Sequence, residues 1–189
     1  PRAVSLSSTT PAPVEPQIIA MPQRTAPGAL ASHGGAQERK ASFPGYADLI
    51  DPEDMSREQR CLAEAIYFEA RSEPPEGQAA VAQVVLNRVK SGLYPDTVCG
   101  VVYQNRHRYM ACQFSFACEG KSLRITEPGP WKQAVRVARE VTFGVTYLPK
   151  VGNATHYHAD YVRPHWSRVF RKNDTIGRHI FYRPKPGQS

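Results

Sequence analysis

The spacing of apolar residues along the chain predicts helices separated by proline- and glycine-rich breaks. Apolar side chains recur with helical spacing over residues 56–71, and Ser56, with Gln59 three residues later, is expected to cap the start of this helix. A second helix is predicted over residues 75–90, because proline suits a first helical turn and Gly92 suits the position just after a helix end. Its predicted inward residues are Val81, Val84, Val85 and Val89.

A third long helix is predicted from Pro130 to Gly144. Its expected inward residues are Trp131, Ala134, Val135 and Ala138. A short helix is also expected around residues 97–104, whereas the irregular composition of residues 105–127 favours loops and short strands.

The C-terminal part of the chain has the alternating pattern of β-structure. Residues 155–162 read THYHADYV and alternate, and residues 176–183 read IGRHIFYR and predict a closing strand. Because the helices come first and dominate, the expected class is α+β, mostly α, in a single domain with a short β region.

Composition changes sharply near the start of the predicted domain. Residues 1–45 hold seven of the 17 prolines and have no hydrophobic periodicity, so they are expected to form a disordered Pro/Ala-rich linker. The domain is then expected to span residues 46–184, followed by a short disordered tail at 185–189. An export signal or membrane anchor upstream of residue 1 would fit such a linker.

Charge is distributed as unevenly as proline. The net charge is +7, but residues 46–99 carry a net −5 and the remainder of the domain is strongly basic. A basic surface favours polyanions, among them nucleic acid, anionic lipid and the anionic cell envelope. No helix-turn-helix or zinc-finger spacing accompanies the basic residues, which argues against nucleic acid as the partner.

The four cysteines form no CxxC pair, which argues against a thioredoxin motif and an ordinary zinc site. An even number of cysteines in a basic, proline-rich chain fits two disulfides in an oxidising compartment, and four buried thiols in a cytosolic protein are the alternative. Four cysteines allow three pairings, among which the sequence does not choose. They are Cys61, Cys99, Cys112 and Cys118.

Glu69 is the most informative single residue, because it continues the apolar stripe of the first predicted helix after Leu62 and Ile66. A carboxyl group on an apolar face either pairs with a cation or has its pKa raised by loss of water. A raised pKa suits a general acid, which glycoside hydrolysis needs to protonate the leaving oxygen. The alternative is a buried glutamate that caps or bridges a neighbouring loop. Glu73 lies one turn further on, as a second carboxylate or a substrate contact.

Several long motifs, in order over residues 58–183, resemble the SleB-like cell-wall hydrolase family, which includes the catalytic domain of spore cortex-lytic enzymes. The matching segments are CLAEAIYFEARSEP (61–74), GQ (77–78), VAQVVLNRV (81–89), YPDTVC (94–99), CQFSF (112–116), ATHYH (154–158) and IGRH (176–179). The resemblance implies a lysozyme-like fold related to lytic transglycosylases. It also implies cleavage of peptidoglycan glycan strands between MurNAc and GlcNAc, with Glu69 as the catalytic acid. Ser72 departs from the family pattern, since many members have glycine there.

The expected mechanism uses Glu69 alone, first as an acid and then as a base, to give a 1,6-anhydro product without metal or cofactor. A hydrolytic variant would need a further carboxylate, for which Glu73 and Asp160 are the candidates. Sugars bind to aromatic rings and planar polar groups, so a set of groove residues is expected, with core packing as the alternative. The set is Glu73, Gln113, Phe114, Tyr157 and His158.

The resemblance implies peptidoglycan as the partner of a periplasmic or envelope protein, which we expect to be a monomer. Three other functions stay open. His156 and His158, with Asp160 and with His165 or His179, would make a zinc-dependent amidase. Cys61 with His156 would make a peptidase. A non-catalytic envelope-binding module would use the basic half alone, with Glu69 as a structural residue.

Overall fold

The computed structural model of the protein describes residues 45–109, 112–120, 122–185 and 187. The predicted linker therefore lies outside the described residues, except for Gly45, and so do three of the five residues of the predicted tail. The helices are α1 (Met55–Ala70), α2 (Pro75–Ser91), α3 (Val98–Val102) and α4 (Pro128–Thr142), and the strands are β1 (His156–Ala159), β2 (Arg171–Ile176) and β3 (His179–Arg183). The expected α-rich α+β class is confirmed. Within the described ranges no helix has the length and apolarity needed to cross a membrane.

Helix α1 begins at Met55 after Asp54, so the capping role predicted for Ser56 and Gln59 is wrong. Asp54 makes no side-chain hydrogen bond at this position. A backbone turn starts the helix instead, in which the Asp54 N–H donates to the Asp51 carbonyl at 3.0 Å. The helix therefore begins without a side-chain cap from Asp54.

Helix α2 is buried on every side, which goes beyond the predicted valine face. Besides Val81, Val84, Val85 and Val89, its polar residues Gln78, Gln83, Asn87 and Arg88 are also buried. Gly92 ends the helix in the left-handed conformation, as predicted. Gln78 donates to the Glu73 carbonyl at 3.0 Å, and the other three polar side chains bind the chain that leads into β1.

Gln83, Asn87 and Arg88 fix the segment before β1 through its backbone, and Arg88 Nε donates to the Thr155 carbonyl at 2.7 Å. Gln83 Nε2 donates to the carbonyls of Leu148 and Gly152 at 3.1 and 2.9 Å. Asn87 Nδ2 donates to Gly152 and Ala154, both at 2.9 Å. Because buried carbonyls need partners, these bonds hold residues 148–155 in one path and set where β1 begins.

Helix α3 is short and depends on its N-terminal partners. The Thr97 hydroxyl accepts a hydrogen bond from the Gly100 N–H at 3.0 Å, and the buried Glu58 carboxylate of α1 accepts one from the Cys99 N–H at 2.9 Å. A disulfide between Cys61 and Cys99 also joins α1 to α3. The second disulfide links Cys112 to Cys118, so two bonds form as expected and the pairing that sequence left open is defined.

Helix α4 begins at Pro128, two residues before the predicted Pro130. The predicted inward position of Val135 is wrong, because this side chain is 43% exposed. The buried stripe instead has helical spacing at Ala134, Val137, Ala138 and Val141. Val135 lies about 100° around the helix from Ala134, which turns its side chain outwards.

The three strands form one antiparallel sheet in the order β1–β3–β2. The predicted closing strand is found as β3, but Ile176 belongs to β2 and Gly177 forms the turn between them. Strand β2 was not predicted, since its sequence RKNDTI lacks an apolar alternation and a bulge interrupts its pairing after Lys172. The described part of residues 105–127 holds a 3-10 turn at Ser115–Ala117 but no strand.

Candidate active site

Glu69 lies in the last turn of α1, where two clefts meet. The smaller cleft has a volume of about 320 Å³ and the larger one about 670 Å³. Glu69 and Ser115 line both of them. A carboxyl at such a junction can reach a bond in the middle of a chain that occupies both clefts.

Tyr157 of β1 also lines the smaller cleft and contacts Glu69 directly. Its hydroxyl donates to Glu69 Oε2 at 3.3 Å. The ring packs against His179 and Phe181, with centroids 5.0 and 5.8 Å away. Burial, followed by the charge of Glu69, raises the pKa of the Tyr157 phenol, which therefore keeps its proton and acts as the donor.

The surroundings of Glu69 raise the pKa of its carboxyl above the usual value. Burial makes the largest contribution, and the negative charge of Glu119 adds to it. The hydrogen bond from Tyr157 and the positive charge of Arg88 act in the opposite direction without cancelling the rise. A carboxyl that keeps its proton closer to neutral pH suits a general acid.

Arg88 of α2 brings a buried positive charge to the wall of the smaller cleft. Its Nε donates to the Thr155 carbonyl at 2.7 Å, and its guanidinium lies 5.3 and 5.4 Å from the ring centroids of Tyr94 and Phe114. With its amide oxygen turned towards this group, Gln113 accepts from both Nη atoms at 3.2 and 3.3 Å. Gln113 therefore orients the arginine as well as lining the cleft.

The loop closed by the Cys112–Cys118 disulfide contributes to the walls of both clefts that Glu69 lines. Gln113 and Phe114 line the smaller cleft, and Phe116 lines the larger one. The Phe116 ring stacks on Phe68 of α1, with centroids 4.9 Å apart. This stack connects the loop to Phe68, the residue beside Glu69. The disulfide and the aromatic contact together hold the loop against the end of α1.

Phe114 and His158 line the smaller cleft but are largely buried, at 3% and 9% exposure. His158 Nε2 shares a hydrogen bond of 3.1 Å with the Tyr182 hydroxyl, and its ring stacks on Tyr182. Its Nδ1 lies 2.8 Å from the Ala159 carbonyl oxygen. Both ring nitrogens are thus occupied, so these two residues shape the wall more than they offer free polar groups.

Glu73 is the one predicted groove residue that lines neither cleft. It follows α1 and packs against the β2–β3 turn, where a Cβ atom added to Gly177 would overlap its Oε2 atom. Burial lowers the pKa of His179, which lines the smaller cleft, and the charge of Glu73 acts in the opposite direction without cancelling this effect. The structure thus separates Glu73 from Glu69 and places it behind the cleft wall.

The residues of the zinc alternative are dispersed. His156 packs against Trp166 and Phe170, and burial, followed by the charge of Arg88, lowers its pKa to about 4. Asp160 Oδ1 accepts from Arg178 at 3.1 Å. Among the residues that the structure describes, no three His, Cys, Asp or Glu side chains converge as a ligand set. The peptidase alternative loses its nucleophile, because the Cys61 sulfur is bonded to Cys99.

Arg88, Glu119 and His179 are cleft residues that the sequence did not predict as part of the groove. Arg88 left a signal, since it follows Val81 and Val84 by seven and four residues on the same helical stripe. The sequence favours His179 only as a zinc ligand, whereas in the structure it is 8% exposed and its Nδ1 has no partner among the described residues. Glu119 follows an irregular loop that has no periodicity to place it.

The chain is similar to known proteins in both sequence and fold. The family model for the Cell Wall Hydrolase matches residues 72–182, which is more than half of the chain. The chain belongs to the cell wall hydrolase family. The match begins three residues after Glu69, so the assignment of Glu69 within this hydrolase domain depends on the site geometry and on the longer similarities to individual relatives.

The chain is similar to two curated proteins that are both named spore cortex-lytic enzyme. It is 32% identical to the one from Oceanobacillus iheyensis over 161 residues, covering 84% of this chain and 53% of that protein. It is 56% identical to the one from Bacillus subtilis over 124 residues, covering 65% of this chain and 36% of that protein. The hydrolase chain thus spans about half or less of the length of these relatives.

Two solved structures are similar to the hydrolase fold. The catalytic domain of the Bacillus cereus SleB protein matches with a TM-score of 0.51 and 30% identity, covering 68% of this chain and 91% of that one. The catalytic domain of the germination-specific lytic transglycosylase SleB from Bacillus anthracis matches with a TM-score of 0.54 and 32% identity, covering 71% and 100%. The SleB-like resemblance and the expected lysozyme-like fold are confirmed.

Proposed function

We propose that this chain cleaves the glycan strands of peptidoglycan between MurNAc and GlcNAc, with Glu69 as both acid and base. The observation that carries this proposal is the position of Glu69, a carboxyl with a raised pKa at the junction of two clefts. Membership of the cell wall hydrolase family and similarity to a lytic transglycosylase support the same substrate.

In the first step, protonated Glu69 donates its proton to the oxygen that links MurNAc C1 to the next sugar. The C1–oxygen bond breaks, the leaving sugar departs as an alcohol, and positive charge develops at C1 and the ring oxygen. The Tyr157 hydroxyl holds Oε2 at 3.3 Å, which leaves Oε1 to transfer the proton. The same hydrogen bond stabilises the carboxylate that forms.

In the second step, the Glu69 carboxylate removes the proton from the C6 hydroxyl of the same MurNAc. The C6 oxygen bonds to C1 and closes the 1,6-anhydro ring, and Glu69 is protonated again. No water is consumed. One carboxyl suffices, because the proton lost in the first step is regained in the second.

A hydrolytic route is the second candidate, and one observation favours it. Glu119 lines the larger cleft together with Glu69, and its charge contributes to the raised Glu69 pKa. Glu119 could activate a water on the far side of the sugar, as inverting enzymes require. Glu73 and Asp160 suit that role less well, since Glu73 lines neither cleft and Asp160 pairs with Arg178.

The cellular setting of this activity also belongs to the proposal. The two disulfides suit an oxidising compartment, and peptidoglycan is found in the cell envelope, so we place the chain in the periplasm or envelope. The basic half of the domain would concentrate the protein on the anionic wall.

The test is digestion of purified sacculi by the wild type and by Glu69→Gln, followed by mass analysis of the released fragments. The substitution keeps the shape and removes the acid, so release should fall by about 10²- to 10⁴-fold. Glu76→Gln, an exposed change in the first turn of α2, is the matched control and should leave release unchanged.

The fragment masses separate the routes. A 1,6-anhydro end is one water lighter than a reducing end, so wild-type products at the lighter mass support the single-carboxyl mechanism. Products at the heavier mass, lost in Glu119→Gln, would identify the hydrolytic route. Cleavage that persists in Glu69→Gln would remove Glu69 from the mechanism.

A further inference from the structure

A third cleft, of about 690 Å³, shares no lining residue with the two clefts beside Glu69. It is formed by the end of α2, the segment before β1, the start of β2 and the end of β3. Four of its lining residues are positively charged and none is Asp or Glu. The four are Lys90, Arg171, Arg183 and Lys185.

The sheet register places two of these charges against each other. Arg171 of β2 and Arg183 of β3 are directly paired across the antiparallel strands. Like charges in such a pair destabilise a sheet. Arg183 donates to the Asn153 side-chain oxygen at 3.3 Å, but neither arginine forms an ion pair with a described residue. An arginine pair without an ion-pair partner among the described residues favours an anion from outside the protein.

The cleft is also too large and too mixed in character for a small anion alone. Leu93, Tyr147 and Pro184 give it apolar walls between the cations. Its volume lies in the range of pockets that hold ligands of many atoms. Arginine forks match carboxylate geometry, and apolar walls suit the aliphatic parts of a short peptide.

We propose that this third cleft binds an acidic peptide, namely the free carboxylates of a peptidoglycan stem peptide. This inference rests on the proposed function, because that function puts the domain on a polymer whose stem peptides carry such carboxylates. A glycan strand in the clefts beside Glu69 and a stem peptide in the third cleft would attach the domain at two points. The second contact then acts at a high effective concentration and slows release from the wall.

Binding to soluble probes separates this site from catalysis. The probes are a wall stem tetrapeptide with free carboxylates, the same peptide with every carboxylate amidated, inorganic phosphate, and phosphatidylglycerol vesicles. The test variant is Lys90→Gln/Arg171→Gln, which removes two exposed charges of the cleft. The control is Lys132→Gln/Arg168→Gln, which removes two exposed charges that do not line it.

The wild type should bind the free peptide, and the test variant should bind it about tenfold more weakly, since the ion pairs lost at the two exposed positions contribute up to about 1 kcal/mol each. The amidated peptide should lose at least as much affinity. The control variant should match the wild type. Thermal unfolding of each variant verifies that it is folded.

Three results would overturn the proposal: unchanged peptide binding in the test variant, equal binding of the amidated peptide, or binding of phosphate or vesicles in place of the peptide. Its failure is distinguishable from that of the proposed function. The tetrapeptide contains no glycosidic bond, so peptide binding can persist when Glu69→Gln still cleaves sacculi, and it can be absent when Glu69 acts as proposed.

Discussion

Two glutamates on helix α1 have different roles in this domain. Glu58 and Glu69 both lie on the α1 stripe that contains Leu62 and Ile66. Glu58 is 2% exposed and receives the Cys99 N–H of α3, so it is a structural cap. Glu69 opens on two clefts. The difference lies in what packs against each end of α1, not in the helix itself.

The neighbours of Glu69 should shift its titration in opposite directions. Tyr157→Phe removes a hydrogen bond that favours the charged carboxylate, so the Glu69 pKa should rise further. Glu119→Gln removes a like charge, so the Glu69 pKa should fall. Because the protonated form is the acid, the alkaline limb of kcat/KM against pH should move up for the first variant and down for the second.

Phe and Gln keep the size of the side chains that they replace, so the two profiles serve as controls for each other. Rates measured from pH 4 to pH 10 on soluble glycan fragments give both limbs. Shifts in the same direction, or none in either variant, would mean that neither residue acts on the ionisation of Glu69.

Part of this site could be predicted from sequence and part could not. The apolar stripe of α1 was sufficient to select Glu69, but it would select Glu58 equally well. The contact between Glu69 and Tyr157 joins residues 88 positions apart, so no local pattern encodes it. Helical spacing indicated that Arg88 would be buried, whereas Glu119 follows an irregular loop where periodicity gives no information.

The two disulfides should affect different properties of the domain. Removing Cys61–Cys99, which closes the longer loop between α1 and α3, should lower the free energy of unfolding by about 4 kcal/mol. Removing Cys112–Cys118, which closes a short loop, should lower it by only about 2 kcal/mol. The short loop lines both clefts beside Glu69, so its loss should reduce activity more.

Paired serine substitutions, urea unfolding and fragment release from sacculi measure both effects. Activity is compared per folded molecule, at a temperature where each variant remains native. The assignment of the short loop to the site would be wrong if Cys112→Ser/Cys118→Ser kept full activity while the long-loop variant lost it.

Gly177 in the β2–β3 turn and Gly92 at the end of α2 form a matched pair for substitution. Gly177 and Gly92 both have positive φ, at 56° and 68°. A Cβ at Gly177 would overlap Glu73 Oε2, whereas nothing lies within 4 Å at Gly92. Gly92→Ala should cost about 1–2 kcal/mol of unfolding free energy from backbone strain alone, and Gly177→Ala should cost more.

Urea unfolding of both variants gives the difference, and adding Glu73→Ala to Gly177→Ala should remove it. Equal costs at the two glycines would show that Glu73 moves aside freely and does not fix the turn.

The helices were easier to predict than the strands for a physical reason. Helices α1, α2 and α4 each have an apolar stripe of their own, and proline and glycine mark the start and end of α2. Strand β2 is largely exposed and reads as polar sequence, so it exists through its pairing with β3. Side-chain capping failed as a guide at Ser56, because a backbone turn had already satisfied the start of α1.

Acidic and basic residues lie in different parts of the chain. The acidic residues concentrate in the segment that forms α1, α2 and α3, and the basic ones in α4 and the sheet. Glu69 belongs to the acidic segment, and its partner Tyr157 lies on β1 in the basic one. The site therefore forms only when the acidic helical segment and the basic segment that contains β1 pack together.

Helix α2 separates two apolar clusters. Ala79, Ala82 and Val85 belong to the larger cluster with α1, α3 and α4, while Ala80 and Val84 belong to the smaller one with the sheet. A helix enclosed in this way cannot open without disrupting both clusters.

The backbone amides of α2 should consequently exchange with deuterium only when the entire fold unfolds, and those at the β2–β3 turn should exchange much sooner. Native-state exchange measured by mass spectrometry would rank them, and fast exchange in α2 would contradict the expectation. Slow exchange in α2 beside fast exchange at the turn would show that local opening at the edge of the sheet leaves the helical frame behind Glu69 intact.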